Sequence, residues 1–211
     1  MQIERKYQLW AATATDHDQP ALNCINIIRL TETTGVAVAA NGYCLASVPV
    51  QLDPEDVAGL ISVEALKAAY KTRQACATIR LDATTTRALG VEDFNRPRPD
   101  PSLKFPDYQT AIPVCPDRTA PEPTTFNPFF LLDLTKALGM NARVDFGLTL
   151  VQAPRNDPKD QPKPMIVLPF GSRITVGQKP DPSQPFGIQM PMFIQIKDWP
   201  IRPAEPEQES A

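Results

Sequence analysis

Hydrophobic positions alternate with a period of two along much of this chain. In "ALNCINIIRL", Leu22, Cys24, Asn26, Ile28 and Leu30 share one face while Ile25 and Ile27 take the other, which is strand periodicity. "GVAVAANGYCLASVPV" predicts two further strands joined at Asn41-Gly42, a dipeptide that suits a tight hairpin because both residues tolerate positive φ. "CATIRLD", "TTRALGV", "RVDFGLTLV", "PMIVLP" and "FGIQMPM" supply more strands, and Val144, Phe146, Leu148 and Leu150 share a face of the third. The proline inside the last one confines it to an edge or a terminus.

Three stretches break the alternation and predict helices. "RKYQLWAAT" (5–13) would bury parts of Tyr7, Leu9 and Trp10. "ISVEALKAAYKTRQ" has Ser62 as N-cap and Glu64 in its first turn, with Val63, Leu66 and Tyr70 on one face and Lys67, Lys71 and Gln74 on another. "FNPFFLLDLTKALG" has Asn127 at the cap, Pro128 at the first helical position and Gly139 as a stop. A helix followed by several strands therefore recurs about three times. The alternation is not strictly βαβ, so antiparallel α+β is the expected fold class. The tail "RPAEPEQESA" has almost nothing to bury and is expected to be disordered.

Composition narrows the function classes. The chain has 211 residues, 42% hydrophobic and 21% charged, with a formal net charge of −3, so no global field draws it to nucleic acid or anionic membrane. It contains 24 prolines against 9 glycines, crowded into 96–128 and 154–185, which predicts stiff connections there. No run of 18 apolar residues occurs and the N-terminus lacks a signal-peptide layout, so a cytoplasmic protein without a membrane span is expected. Cys24, Cys44, Cys76 and Cys115 form no C-x-x-C pair and are expected to be reduced, mostly buried thiols.

Chemistry-bearing motifs are sparse. The single histidine, His17, lies between Asp16 and Asp18, but neighbouring residues point apart, and no second histidine or cysteine pair completes a metal site. No phosphate-binding glycine loop is present. Neither catalysis, a metal nor a cofactor is expected.

Four segments, in chain order, resemble the bacterial DNA polymerase III β sliding clamp. "VAANGYCLA" is similar to the family's A-T-D-G-H-R-L-A hairpin, and "GLISVEALKAAYK" with "ATIRLD" to the helix-then-strand opening of a clamp half-domain. "KFPDYQTAIP" looks like R-F-P-D-Y-x-x-V-L-P, and "FNPFFLLDLTKAL" with "GIQMPMF" like F-N-x-x-Y-L-L-D-x-L and the terminal V-V-M-P-M-R-L. The resemblance spans about 5–193 and implies a DNA-clamp-like fold: antiparallel sheets with helices on one face, in about three half-domains. Residues 1–113 would form a two-half-domain unit, 114–198 a C-terminal half-domain and 199–211 the tail. Asn41, Tyr43 and Cys44 stand where the family has Asp, His and Arg, Thr110 replaces another arginine, and Phe193 replaces the closing Arg-Leu. The departures imply a divergent, shortened protein of phage or mobile-element type.

The resemblance further implies two working surfaces on a non-enzymatic replication or repair factor. One is a pocket for short client peptides of the Gln-Leu-x-Leu-Phe type, carried by polymerases and other clamp-binding proteins; it maps to Gly42, Tyr43, Leu45, Pro106, Ala111, Ile188 and Met190. In it, Phe105 and Tyr108 would pin a loop whose Pro106 and Ala111 form an apolar wall. The other is the DNA-facing wall of an oligomeric ring, mapping to Lys67, Lys71, Arg73, Lys136 and Arg143, with sequence-independent contacts to double-stranded DNA. The bland reading of the same residues is an ordinary core and an ordinary solvated face. "QMPMF" also resembles a clamp-binding pentapeptide, which would make the protein a client or inhibitor of another clamp; the competing class is a monomeric clamp-fold adaptor or inhibitor that binds replication proteins without encircling DNA.

Overall fold

The computed structural model describes residues 1–15, 19–92, 94–116, 127–140, 148–152, 163–169 and 171–190. Among the described residues, eleven strands form one antiparallel sheet: β1 Gln2–Glu4, β2 Cys24–Arg29, β3 Thr34–Ala40, β4 Cys44–Gln51, β5 Gly59–Ser62, β6 Cys76–Leu81, β7 Thr85–Ala88, β8 Asn95–Pro97, β9 Leu148–Gln152, β10 Met165–Pro169 and β11 Phe186–Gln189. The same residues also form two α-helices, α1 Val63–Ala69 and α2 Pro128–Ala137, and two single 3-10 turns, Leu9–Ala12 and Tyr108–Thr110.

The sheet forks at β4. One edge of β4 pairs with β3 along its whole length, from Ala40 opposite Leu45 to Thr34 opposite Gln51. Its other edge is divided. Cys44 to Ser47 pair with β11, while Gln51 meets Gln2 of β1. One branch continues as β1-β6-β7-β8, the other as β11-β10-β9, and β5-β2-β3 lie on the opposite side of β4.

Strand alternation divides the apolar residues between two cores, one on each face of the sheet. Ile25, Ile27, Ala37, Ala39, Cys44, Ala46, Val48, Met165 and Val167 turn to the face carrying Leu66 of α1 and Leu134 and Ala137 of α2. Val36, Val38, Leu45, Ile166, Leu168, Phe186 and Ile188 turn to the other, where they meet Ile112 and Cys115. Strands buried on both sides have little room for polar residues, so β3 and β4 read as nearly continuous apolar runs. Small residues let α2 approach closely. A Cβ on Gly187 would lie 2.9 Å from a Leu134 methyl carbon and 3.3 Å from the Leu138 one. The architecture is an antiparallel sheet with both helices on one face, the α+β arrangement that the residue pattern predicts.

Local expectations hold where they rest on local chemistry. Ser62 Oγ accepts from the Ala65 amide at 3.2 Å, Asn127 Oδ1 accepts from the Phe129 amide at 2.9 Å, and Gly139 ends α2 at φ +71°. Three expectations need correction. In place of the helix expected over 5–13 there is only the 3-10 turn at Leu9–Ala12, which follows directly on β1, where residues 2–4 pair with β6. The helix over 61–74 stops at Ala69. There the Lys71 amide bonds to Ala68, Thr72 Oγ1 donates to the Ala69 carbonyl at 2.9 Å, and Arg5 occupies the Tyr70 carbonyl at 2.7 Å. The proline-rich connection also contains a strand, β8, which tolerates Pro97 as a short exposed strand at the end of the sheet. As for the last strand, β11 ends at Gln189 before Pro191 and is flanked by both β4 and β10. Val144, Phe146 and the expected tail lie outside the described residues.

A buried carboxylate clips the β1 end of the sheet. Asp56 accepts from the Met1 ammonium, from the Asp53 amide at 2.9 Å and from the Leu81 amide at 3.1 Å. Burial pushes its pKa up, but the Met1 ammonium and the two amides outweigh that and hold it below the ordinary 3.8. A carboxylate with a depressed folded-state pKa stabilises the fold above its unfolded-state value and loses that contribution as pH falls through the folded-state value. Urea titrations from pH 6 to pH 2 should therefore show stability falling on acidification. Asp56→Asn should remove part of that slope and cost about 3 kcal/mol at neutral pH, as expected when one partner of a buried ion pair is lost.

Candidate peptide-binding site and helix face

The β3–β4 hairpin turns on Asn41. Its Oδ1 accepts from the Tyr43 and Cys44 amides at 3.0 and 2.9 Å, its own amide donates to the Cys44 carbonyl at 3.1 Å, and Gly42 takes φ +87°. This turn delivers Leu45 to the face without helices, opposite Ile188 of β11. The chain leaving β11 stays beside the turn, with the Met190 amide donating to the Tyr43 carbonyl at 2.9 Å.

The third piece is the loop containing Phe-Pro-Asp-Tyr. Asp107 Oδ1 accepts from the Gln109 amide at 3.2 Å, and Thr110 Oγ1 donates to the Asp107 carbonyl at 2.8 Å, which tightens Tyr108–Thr110 into one 3-10 turn. Phe105, Tyr108, Ile112 and Cys115 then face the sheet, with the Phe105 and Tyr108 rings 6.4 Å apart and nearly perpendicular. Pro106 and Ala111 are exposed. Residues 177–179 brace the loop. The Cys115 amide donates to the Gln178 carbonyl at 2.7 Å, the Gly177 amide to the Cys115 carbonyl at 2.9 Å, and Lys179 Nζ to the Gln109 carbonyl at 2.5 Å.

Asn41–Leu45, Phe105–Pro113 and Gly187–Met190 thus meet around one apolar cluster. Leu45 and Ile188 are its floor, only 6% and 2% exposed, while Gly42, Pro106, Ala111 and Met190 are exposed around it. Tyr43 is not brought to that floor. Its ring stacks at 5.1 Å and 9° on Phe130 of α2, which packs against the helix-side core. Ile112, Phe186 and Cys115 complete the floor and were not named from the sequence. The usable signal for Ile112 was its spacing of four from Tyr108 across a capped turn. Burial pushes the Tyr108 hydroxyl and the Cys115 thiol up, so both stay neutral at physiological pH.

On the helix face, Lys67 projects from α1 and is exposed. Lys71 and Arg73 are exposed too, but they follow the end of α1, so Lys67 and Lys71 are not a pair four apart on one helix. Lys136 on α2 pairs with Asp133 at 3.3 Å. Arg143 lies outside the described residues, as do His17, Asp16 and Asp18. Among the described residues no group of three or more His, Cys, Asp or Glu could hold a metal ion, and no helix is long and apolar enough to cross a membrane. The four cysteines are free. Cys24, Cys44 and Cys115 are buried, and burial, with a smaller effect of the Asp133 charge, pushes Cys44 up to about 12.

Solved structures share this architecture. The DNA polymerase III β subunit of Thermotoga maritima aligns at a TM-score of 0.52 and 15% identity, over 92% of this chain and 65% of its own. The sliding clamp of Bartonella birtlesii bound to griselimycin aligns at 0.54 and 16%, over 92% and 66%. A Pseudomonas aeruginosa sliding clamp with ligand aligns at 0.59 and 14%, again over 92% and 66%. No protein-family model and no curated protein matches the chain. The fold is that of a DNA clamp, and within that class it is the fold of the β sliding clamps, in strongly divergent form. The chain spans just under two thirds of the length of these structures.

Two measurements check the site's floor. Ile112→Ala should cost about 2–4 kcal/mol in urea unfolding, the range for truncating a buried aliphatic side chain, whereas a solvated loop residue would cost a few tenths. Alkylation of the native protein should label half-buried Cys76 first and reach Cys24, Cys44 and Cys115 only on unfolding.

Proposed function

We propose that this protein is a sliding-clamp-like, non-enzymatic recruitment or processivity factor of DNA replication or repair, acting in the cytoplasm through short client peptides of the Gln-Leu-x-Leu-Phe type. The observation that carries the reading is the meeting of three distant apolar pieces, from the hairpin, the Phe-Pro-Asp-Tyr loop and β11, at one cluster on the face without helices. Pro106 and Ala111 are exposed on one side of it and Met190 on another. Such a rim suits the leucine and phenylalanine of a peptide, each contributing about 1.5–3 kcal/mol on full burial. Met190, flexible and 41% exposed, adapts to the ligand side chain. Residues 1–113 act as a two-half-domain unit and 114–198 as the C-terminal half-domain.

Encirclement of DNA belongs to the same reading. Lys67, Lys71, Arg73, Lys136 and Arg143 would line the inner wall, and three half-domains per chain would call for a ring of four chains, or of three if each chain serves as two domains. A second reading, a monomeric clamp-fold adaptor or inhibitor, draws support from α2. Phe129 and Leu132 are 72% and 51% exposed on it, and the Lys136 charge is engaged by Asp133. Both are poor provision for phosphate contact.

Fluorescence anisotropy with a labelled Gln-Leu-x-Leu-Phe peptide tests the first part. Ala111→Asp and Met190→Asp change exposed positions and should each weaken binding about tenfold or more, roughly 1.4 kcal/mol, with Lys67→Glu neutral. Absence of binding, or binding indifferent to both rim changes, would remove the peptide assignment. Native mass spectrometry at micromolar concentration decides the second part: a discrete trimer or tetramer supports the ring, and a monomer supports the adaptor.

A further inference from the structure

Two asparagines hold turns with their own side chains. Asn41 Oδ1 accepts from the Tyr43 and Cys44 amides at 3.0 and 2.9 Å, and Asn127 Oδ1 accepts from the Phe129 amide at 2.9 Å. In such a turn the side chain folds back over the peptide bond that follows it. Its Cγ is thereby carried towards the backbone nitrogen of the next residue. The two turns differ in what that nitrogen is. After Asn127 it belongs to Pro128 and bears no proton. After Asn41 it belongs to Gly42, and no other asparagine in the chain precedes a glycine.

Gly42 leaves its nitrogen open to solvent. The residue is exposed, takes φ +87°, and would meet nothing within 4 Å if it carried a Cβ. Among the described residues, no group accepts its N–H. The Asn41 side-chain oxygen, by contrast, already rests on two amide donors. Two N–H groups at this range are the arrangement that stabilises negative charge on a carbonyl oxygen under attack. One short turn therefore contains an electrophilic carbon, an accessible nitrogen and a cradle for the charge that develops between them.

We propose that Asn41 is a self-modifying site that loses ammonia in the folded protein, with water as the co-reactant. Hydroxide takes the Gly42 amide proton, and the nitrogen forms a bond to Asn41 Cγ. Negative charge moves onto Oδ1, between the Tyr43 and Cys44 amides. The Cγ–Nδ2 bond then breaks, and Nδ2 leaves as ammonia with a proton from water, which returns the hydroxide. A second water opens the resulting succinimide ring at either carbonyl. Opening at Cγ leaves aspartate at position 41, whose carboxylate can keep both amides. Opening at the main-chain carbonyl leaves isoaspartate, which adds a methylene carbon to the backbone inside the turn. That longer turn loosens the Tyr43 stack on Phe130 and the bond from the Met190 amide. One water enters, one ammonia leaves, and nothing is oxidised or reduced. Gly42 and Tyr43 also belong to the proposed peptide site, but this reaction needs only the turn and water. It is read as mass, so its failure and the failure of peptide binding are separate results.

The full-length protein, held at 37 °C from pH 6 to pH 9, should gain one mass unit in the peptide containing Asn41. Conversion should be several-fold faster at the alkaline end, because the Gly42 nitrogen must lose its proton to attack. Electron-transfer fragmentation should resolve both aspartate and isoaspartate at position 41, and the peptide containing Asn127 should keep its mass. The folded protein should convert at least as fast as the same chain in guanidinium chloride, where the turn is lost. The proposal is overturned if Asn41 stays intact, if Asn127 converts at a comparable rate, or if the folded protein converts more slowly than the unfolded chain.

Discussion

The pairing of β11 with β4 is the constraint on which the rest of this molecule depends. It brings residues 186–189 against residues 44–47, about two thirds of the sequence away, and gives β4 a second neighbour where β1 does not reach. Without it, β9, β10 and α2 would have no shared sheet to pack on. The same four-residue register decides both faces. Phe186 and Ile188 go to the core under the Phe-Pro-Asp-Tyr loop. Gly187 goes beneath α2, where a side chain would collide with Leu134 and Leu138. A slip of one residue would exchange these sets, placing isoleucine where only glycine fits. Gln189, fully buried, adds a side-chain tie by donating from Nε2 to the Asn127 carbonyl at 2.9 Å, so β11 also holds the cap of α2.

This arrangement explains why the candidate site and the helix face are mechanically linked. The turn at Asn41 supplies Leu45 to one side and Tyr43, through its stack on Phe130, to the other. Met190 hangs from the Tyr43 carbonyl between them. A ligand pressing on Met190 would act on a segment already fixed to α2, and a change in α2 would be felt at the rim through the same few contacts.

Much of this was legible in the residues. The hairpin, the two helix caps, the glycine stop of α2 and the two-sided alternation of β2 are consequences of local chemistry: an Asx side chain that can bond its own turn, a glycine free to take positive φ, a period of two. What escaped was tertiary. α1 ends early where Arg5, distant in sequence, takes the carbonyl of its C-cap residue Tyr70, and residues 2–4 are a strand because β6 lies alongside. Of the site residues that the resemblance implies, Leu45 and Ile188 lie opposite each other in the β4–β11 register. Ala111, implied by the motif, is exposed while its neighbour Ile112 is buried, because a motif position says nothing about which side of a 3-10 turn faces inward. Tyr43 left the group because it lies in the turn, where strand alternation no longer governs direction.

Both the fold and the candidate site depend on residues 186–189 lying in register with residues 44–47. Nuclear Overhauser contacts between strands in the isotope-labelled full-length protein measure this directly. Cross-strand contacts between Leu45 and Ile188 and between Ser47 and Phe186 are predicted, at strengths comparable to those between Ala40 and Leu45 in the β3–β4 hairpin. A spectrum that keeps the hairpin contacts while Leu45 and Ile188 show none would contradict it.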